Sequence, residues 1–364
     1  MDHEEVVMST PAPRLLSLAT AVPEHVLHQR DVAEAARSMF AGMPGGVEHL
    51  LPVFENAAIE TRRSCVPLDW YLRPHDFAER NGLYVRHALA LLAEAATRTL
   101  ADSGLAPAAV DALVTVSSTG IATPTLDALL LERIGLRTDV ERLPVFGLGC
   151  AGGVLGLARA GALARARPGA RVLLLVVELC GLTFRRHDLS KSNVVATALF
   201  GDGAAAALLV ADGGAGPALV ASGEHTWPAS ADVMGWRVGG DGLEVVFSRD
   251  IPNLVRHDFG PVLTRFLRRC DLRLSDMDGF AAHPGGAKVL DSLEAVFGLP
   301  PGGLAAARRV LRQFGNMSAP TVLFVLDEIL RCRRSRGMAA GRLLLTSLGP
   351  GFTAGFAVLD DGGR

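Results

Sequence analysis

An α/β protein built from two similar halves is predicted for this 364-residue chain by its length, its apolar strands and an internal repeat. A single hydrophobic core usually stops growing at about 250–300 residues, so two core units are expected. Continuous apolar runs, RVLLLVV from Arg171 and RLLLTSL from Arg342, describe strands covered on both faces by helices. The repeat sets VDALVTVSSTG, TPTLDALLLERIGL and FGLGCAGGVLGLARAGALARARPGARVLLLVVE beside MDGFAAHPGG, AKVLDSLEAVFGL and FGNMSAPTVLFVLDEILRCRRSRGMAAGRLLLTSLG.

Each copy opens with an apolar strand after Asp111 or Asp278. A helix carrying Leu-Asp (Asp127, Asp291) follows and stops at Gly-Leu, a glycine being the usual helix terminator. Phe-Gly (Phe146, Phe314) then leads into a second helix, and the last strand starts at Arg171 or Arg342. Ahead of the first copy, YVRHALALLAEAATRTLADSG puts Leu89, Leu92, Ala96 and Leu100 on one helical face and ends at Gly104. FGDGAAAALLV reads as a turn and a strand. The Gly- and Ala-rich stretch 212–217 is the expected joint, dividing the chain into halves 1–212 and 218–364 related by a pseudo-twofold axis. Helices are expected between layers of sheet.

Hydrophobic residues make up 49% of the chain and charged residues 20%, so a large core is available and extended disorder is excluded. A formal charge of −2 gives no electrostatic reason to bind nucleic acid or a membrane surface. No apolar run approaches the roughly 20 residues of a membrane span. The five cysteines are scattered and form no C-x-x-C or Cys/His pattern, so neither a disulfide framework nor a structural metal is expected. The opening MDHEEVVMSTPAP is acidic and lacks an apolar segment. It reads as a short loose tail rather than a secretion signal, and a cytoplasmic chain is expected.

The stretch FGLGCAGGVLGLARA has two readings. Gly147, Gly149 and Gly152 spell the G-x-G-x-x-G of a dinucleotide-binding turn, with Glu178 as the candidate ribose ligand. Against this, the pattern sits deep in the chain and leaves the thiol of Cys150, at the head of the following helix, without a role. Leu148 stands where a hydrolase elbow would need glycine. The helix after Cys150 carries Gly152, Gly156, Ala160 and Ala164 as a smooth stripe. That stripe lets the equivalent helix approach closely, the one starting near Ser318 with Pro320 in its first turn. Cys150 and Asn316 then face each other, and His283 ends a strand at the same sheet edge.

These three groups define a chemistry. A helix N-terminus or a neighbouring imidazolium lowers a thiol from about 8.5 into the range of about 3.5–7.5, so a thiolate is expected at neutral pH, ready to attack a thioester. The Asn316 amide and the His283 N–H would hold a carbonyl oxygen as it becomes negative, one such donor being worth about 10²–10³ in rate. TSLGPGFTAG supplies neither a second Cys nor a carboxylate to remove an α-proton. A donor that loses CO₂, such as a malonyl thioester, needs no such base.

In GCAGG around Cys150, LFGDGAAA with Phe200, AHPGG with His283, GNMSAPTVLFVLDE with Asn316 and GPG at 349–351, the chain resembles the type III polyketide synthases. These are the chalcone synthase-like enzymes of the thiolase superfamily. The resemblance runs from LLSLATAVPEH to LGPGFTAGFAVL and implies a thiolase-like αβαβα layered fold in a homodimer. It implies Cys150 as acyl carrier, His283 and Asn316 as its catalytic partners, and Phe200 as gatekeeper between a CoA tunnel and a cavity. Cys180, Thr183, Phe247 and Ser318 are implied as substrate contacts, and Arg62 and Gly285 as contacts to CoA. An acyl-CoA starter and malonyl-CoA serve directly as substrates, with no cofactor and no metal. DWYLRPHDFAERNGLY and LTFRRHDLSKSNVVATALF are similar to bacterial members that make alkylpyrones or alkylresorcinols. Two positions depart from plant relatives: Thr123 replaces a methionine that crosses the dimer interface, and His49, Pro52 and Asn56 replace a basic CoA-phosphate cluster. The resemblance also admits an initiating 3-ketoacyl synthase making one condensation, or a thiolase-fold binding protein without catalysis.

Overall fold

The computed structural model describes residues 11–211, 213–248 and 250–362, so the first ten residues of the opening tail and Asp212 of the joint lie outside the described residues. Thirteen strands are present among the described residues: β1 Arg14–Ala21, β2 His25–His28, β3 Thr61–Ser64, β4 Ala112–Val116, β5 Glu141–Val145, β6 Arg171–Leu179, β7 Asp202–Val210, β8 Ala218–Thr226, β9 Met234–Gly239, β10 Gly242–Phe247, β11 Gly279–Ala282, β12 Leu343–Gly349 and β13 Thr353–Asp360. Nine of them are continuous in the order β11-β12-β13-β8-β1-β7-β6-β4-β5. The two halves meet at β1 and β8 through one paired position, Arg14 with Ala218, flanked by Leu15 N–H to Pro217 O and Leu219 N–H to Pro13 O.

On either side of that seam the connectivity repeats. β4 runs parallel to β6, which is antiparallel to β7, as β11 runs parallel to β12, which is antiparallel to β13. The repeated aspartates have a physical task. Asp111 Oδ2 accepts the Arg171 N–H at 2.9 Å, and Asp278 Oδ2 accepts the Arg342 N–H at 2.8 Å, so each carboxylate clamps the starts of two neighbouring strands. β5 is an addition to the first half and leaves a solvent-facing edge.

Two helices fill the space between the half-sheets. The nucleophile helix, Gly152–Ala166, packs on β4, β6 and β7 of one half and β8, β12 and β13 of the other. Its counterpart, Thr321–Ser335, packs on β1, β7, β11 and β12 and on the nucleophile helix itself. The small-residue stripe is out of phase with expectation. A Cβ on Gly152 or Gly156 would meet Val116 of β4, at 2.7 and 2.9 Å. It is Gly153 that faces the counterpart helix, where a Cβ would stand 2.6 Å from Val322 Cγ1 and nearer still to the Ala319 carbonyl. Gly152 adds a looser contact, its Cβ position lying 3.1 Å from Ala319 Cβ, so close helix approach rests chiefly on the glycine beside the stripe.

The Phe77–Ser103 helix covers β1, β6 and β7, buries Tyr84, Ala88, Leu91, Leu92, Ala95, Ala96, Thr99 and Leu100, and ends at Gly104 with φ 70°. Leu89, expected in that face, flanks it and is only partly buried. Two large apolar cores result, divided by the faces of the sheet rather than by the halves: one draws on residues from Leu15 to Leu359, the other on Ala21 to Leu208. No helix among the described residues is long and apolar enough to cross a membrane.

Candidate active site

The turn carrying Cys150 is shaped by glycines and by the last turn of the chain. Gly147 and Gly149 have φ 90° and 46°, a region that favours residues without Cβ. A Cβ on Gly149 would stand 2.7 Å from Pro350 Cδ, and one on Gly349 would stand 2.7 Å from Ala151 Cβ, so GPG and GCAGG interlock. Ser118 Oγ accepts the N–H groups of Gly147 and Gly149 at 3.3 and 3.2 Å. The backbone donors a phosphate would use are thus already engaged. Glu178, the candidate ribose ligand, is wholly buried and accepts from Ser118 N–H at 2.9 Å and Thr119 Oγ1 at 2.8 Å. The dinucleotide reading fails on both counts.

Cys150, His283 and Asn316 line one cavity of about 430 Å³, together with Phe247, Gly285, Lys288, Thr346 and Ser347. Each arrives on a different support. Cys150 sits in the short turn before the nucleophile helix. His283 follows β11 and is tied to β12 by its N–H to Thr346 O at 2.8 Å. Asn316 pairs by backbone with the 199–201 segment, donating to Leu199 O at 2.8 Å while Gly201 N–H donates to its own carbonyl at 3.0 Å. Its amide orientation is set: Oδ1 accepts the Ser318 N–H at 2.8 Å and Nδ2 donates to Gly285 O at 3.3 Å, which leaves its second N–H for the Cys150 sulfur. Buried polar atoms nearly always have partners. Here His283 Nδ1 and Nε2 and Thr346 Oγ1 have none.

Electrostatics correct one expectation. Burial pushes the Cys150 thiol up to about 11; hydrogen bonds from Ser318 and Asn316 pull it down and the Glu178 carboxylate raises it. Burial also depresses His283 to about 3, so the imidazole is neutral and forms no ion pair with the sulfur. The cavity holds a protonated thiol beside a neutral base rather than the expected thiolate, because desolvation outweighs the helix N-terminus. The Glu178 carboxyl is itself raised to about 7 by burial, against the pull of its hydrogen-bond donors.

The remaining expected residues divide. Phe200 packs against Phe247 (ring centroids 5.6 Å) and Trp236 (6.2 Å) and lines a second, smaller cavity, of about 50 Å³, with Cys180 and Thr183. Thr183 Oγ1 is taken up by Cys180 O at 2.7 Å. Phe247 and Gly285 line the Cys150 cavity instead. Ser318, at φ 56°, holds a backbone conformation costly for a residue with Cβ, and the repeat puts it at the position Cys150 occupies in the first half.

Arg62 does not reach the Cys150 cavity. It is 4% exposed and donates to the carbonyls of Thr197, Ala198 and Phe200 at 2.6, 2.8 and 2.9 Å and to Gln29. Burial lowers its guanidinium to about 10, which leaves it charged at neutral pH. It anchors the end of the Lys191–Leu199 helix with both terminal nitrogens, and its remaining N–H, on Nε, is buried without a partner. Conversely, Glu178 and Ser118 emerge as the support of the nucleophile turn. Only a polar run after an apolar strand, Ser117 to Thr119, hinted at them. Among the described residues no three His, Cys, Asp or Glu side chains group as a metal site would, and the five cysteines are unpaired.

Comparison with known proteins places this geometry. Residues 73–213 match the family model for the N-terminal domain of chalcone and stilbene synthases, and residues 218–361 match that for the C-terminal domain. A 1,3,6,8-tetrahydroxynaphthalene synthase of Streptomyces peucetius subsp. caesius is 40% identical over 93% of this chain and 91% of its own. An alpha-pyrone synthesis polyketide synthase-like protein of Mycobacterium tuberculosis is 30% identical over 92% and 88%. The crystal structure of the 1,3,6,8-tetrahydroxynaphthalene synthase of Streptomyces coelicolor A3(2), a bacterial type III polyketide synthase, superposes with a TM-score of 0.90 at 29% identity, covering 96% of this chain and all of that one.

Proposed function

The chain belongs to the chalcone and stilbene synthase family, the type III polyketide synthases, and from that premise we propose how its own residues work. Members are acyltransferases that condense malonyl-CoA iteratively to pyrone or aromatic products. Cys150 Sγ attacks the carbonyl of an acyl-CoA starter, its proton passes to the neutral His283, and CoA leaves as the thiol with that proton. Malonyl-CoA then enters, its carboxylate departs as CO₂, and the electron pair left behind becomes an enolate held by the His283 N–H and by the Asn316 N–H that the acylated sulfur no longer needs. The enolate carbon attacks the acyl group, the Cys150 sulfur leaves and takes up a proton from solvent, and the chain, now carried on the CoA of the malonyl donor, is two carbons longer.

One observation carries this reading: a buried imidazole with both nitrogens unpartnered shares a cavity with a buried thiol and a carboxamide that hydrogen-bonds that thiol. A thiolate never needs to stand alone, since the base accepts the proton as the sulfur–carbon bond forms. The first half, 1–212, supplies the nucleophile and the second, 218–364, supplies His283 and Asn316.

The starter we favour is a fatty acyl-CoA, as in bacterial alkylpyrone or alkylresorcinol formation. The cavity beyond Phe200 is walled by Leu27, Val32, Met39, Leu68 and Phe184, which suits an alkyl chain. A cytoplasmic homodimer fits an exposed edge at β5, with Phe146 61% and Ile121 50% exposed beside it. The test is incubation of the enzyme with malonyl-CoA and acyl-CoA starters of graded length, followed by product masses. Pyrones or resorcinols from two or three extensions are expected; a single 3-oxoacyl thioester would contradict the iterative reading.

A further inference from the structure

The cavity beyond Phe200 is too small for what the proposed reaction puts there. It holds about 50 Å³, about a third of the roughly 150 Å³ of an engineered apolar cavity that takes up benzene. A wall must move for an acyl chain to enter. Most of that wall is fixed: the Lys191–Leu199 helix and the start of β7 belong to the main body, and β3, which pairs only with β2, is pinned to them by Arg62 donating to the Thr197, Ala198 and Phe200 carbonyls and by the Cys65 N–H donating to Asp202. The β9–β10 hairpin also pairs only within itself, and among the described residues no such buried backbone anchor holds its strands. Its Leu243 and Val245 line the small cavity, Met234 and Phe247 line the Cys150 cavity, and Trp236 and Phe247 pack on the Phe200 ring.

What holds this hairpin down at its tip is a set of charged contacts. Arg185 Nε and Nη2 donate to Asp241 Oδ1 at 2.6 and 2.5 Å, and Arg185 also reaches Glu244 Oε1 at 3.3 Å and Asp188 Oδ2 at 3.3 Å. Arg80, from the long Phe77–Ser103 helix, donates to the carbonyls of Phe184 (3.0 Å) and Asp241. Asn193 fixes the Arg185 segment from below by donating to Arg185 O and Asp188 O, both at 2.8 Å. The guanidinium is only 14% exposed, and it comes from LTFRRHDLSKSN, a stretch that the catalytic chemistry leaves without a role.

We propose that the β9–β10 hairpin is the movable wall of the chain-holding cavity and that the Arg185–Asp241–Glu244 cluster is its latch, limiting how far the wall yields and so how long a chain the enzyme accepts. The inference rests on the condensing function proposed above but has a readout independent of it. Asp241 and Glu244 do not line either the Cys150 cavity or the small one, so substitutions there loosen the latch without touching the site.

The experiment compares wild type with Asp241→Asn and with Asp241→Asn/Glu244→Gln. Native trypsin cleavage after Arg237, on the hairpin and 74% exposed, reports opening. Loss of a charge-assisted hydrogen bond predicts cleavage faster by about tenfold in the variants, and faster in wild type at high salt. With a fixed set of acyl-CoA starters and malonyl-CoA, product masses from the variants should shift toward longer starters or further extension, with turnover of short starters unchanged. Equal cleavage rates in all three proteins would overturn the latch even if no starter were extended. Faster cleavage with an unchanged product distribution would overturn the hairpin as length determinant. If wild type extends nothing while cleavage still separates the variants, the functional reading falls and the movable wall stands.

Discussion

Replacing Gly153 with alanine is the sharpest perturbation of the geometry that brings the two halves together. The new methyl carbon would stand 2.6 Å from Val322 Cγ1 and closer to the Ala319 carbonyl oxygen, where ordinary contact is about 3.5–4.0 Å. The obstacle is backbone, so relief requires the nucleophile helix and its counterpart to separate by about 1 Å. Overpacking of this kind costs about 1–3 kcal/mol, here at the upper end, offset by about 1 kcal/mol of improved helix propensity. Net destabilisation is about 2 kcal/mol. The larger effect falls on chemistry, because those helices carry Cys150 on one side and Asn316 with Ser318 on the other. A displacement of about 1 Å costs on the order of 10²-fold in rate. The control is Gly156→Ala, whose methyl meets side-chain ends of Val116 and Leu174 at 2.9 and 3.0 Å. These are side chains of the same half rather than backbone of the counterpart segment, so the two helices need not separate and the rate should hold even where stability falls. Rapid-quench mass spectrometry of acyl-enzyme formation, alongside thermal unfolding, reads both quantities. Wild-type acyl transfer in Gly153→Ala, or a slower Gly156→Ala, would refute the packing argument.

Other expectations follow from the same coordinates. Arg62→Ala removes four buried or part-buried hydrogen bonds and should destabilise by on the order of 3 kcal/mol in denaturant unfolding. The KM for acyl-CoA should not change in the folded fraction, and a selective rise in KM would restore the CoA-contact role. With its thiol pushed up to about 11, Cys150 should be alkylated by iodoacetamide about tenfold faster per pH unit from pH 7 to 10. Glu178→Gln, which removes a negative charge, should speed alkylation at fixed pH; a rate plateau below pH 7 would instead reveal a preformed thiolate. His283, depressed from 6.5 to about 3, binds fewer protons folded than unfolded, so the stability it contributes is present above pH 6.5 and is lost as pH falls toward 3. His283→Gln should flatten that part of the stability profile, and an unchanged acid slope would show that the imidazole is not buried as described.

Features that depend on local pattern were legible before any coordinates. Continuous apolar runs at β6 and β12, the terminating Gly104, Gly135 and Gly298, and the paired Asp111 and Asp278 follow from periodicity, caps and repetition. The convergence of Cys150, His283 and Asn316 was legible because the repeat implied which ends meet. What stayed hidden depends on depth. Arg62 looks like a surface cation until its four acceptors are seen. Glu178 and Ser118 matter through contacts across the sheet, which no spacing encodes. The helix contact at Gly153 rather than Gly152 and Gly156 is a phase difference of one residue, about 100° around a helix, set by tertiary packing. The thiol moved upward because Cys150 is buried, and burial is a property of the whole fold around it.

The most direct check of the catalytic assignment is peptide-level mass mapping after a brief incubation with a fatty acyl-CoA and no malonyl-CoA. An acyl adduct confined to the peptide containing Cys150, lost in Cys150→Ala and slowed in His283→Ala, is the expected result. An adduct on Cys65 or Cys180 instead, or wild-type loading without His283, would contradict it.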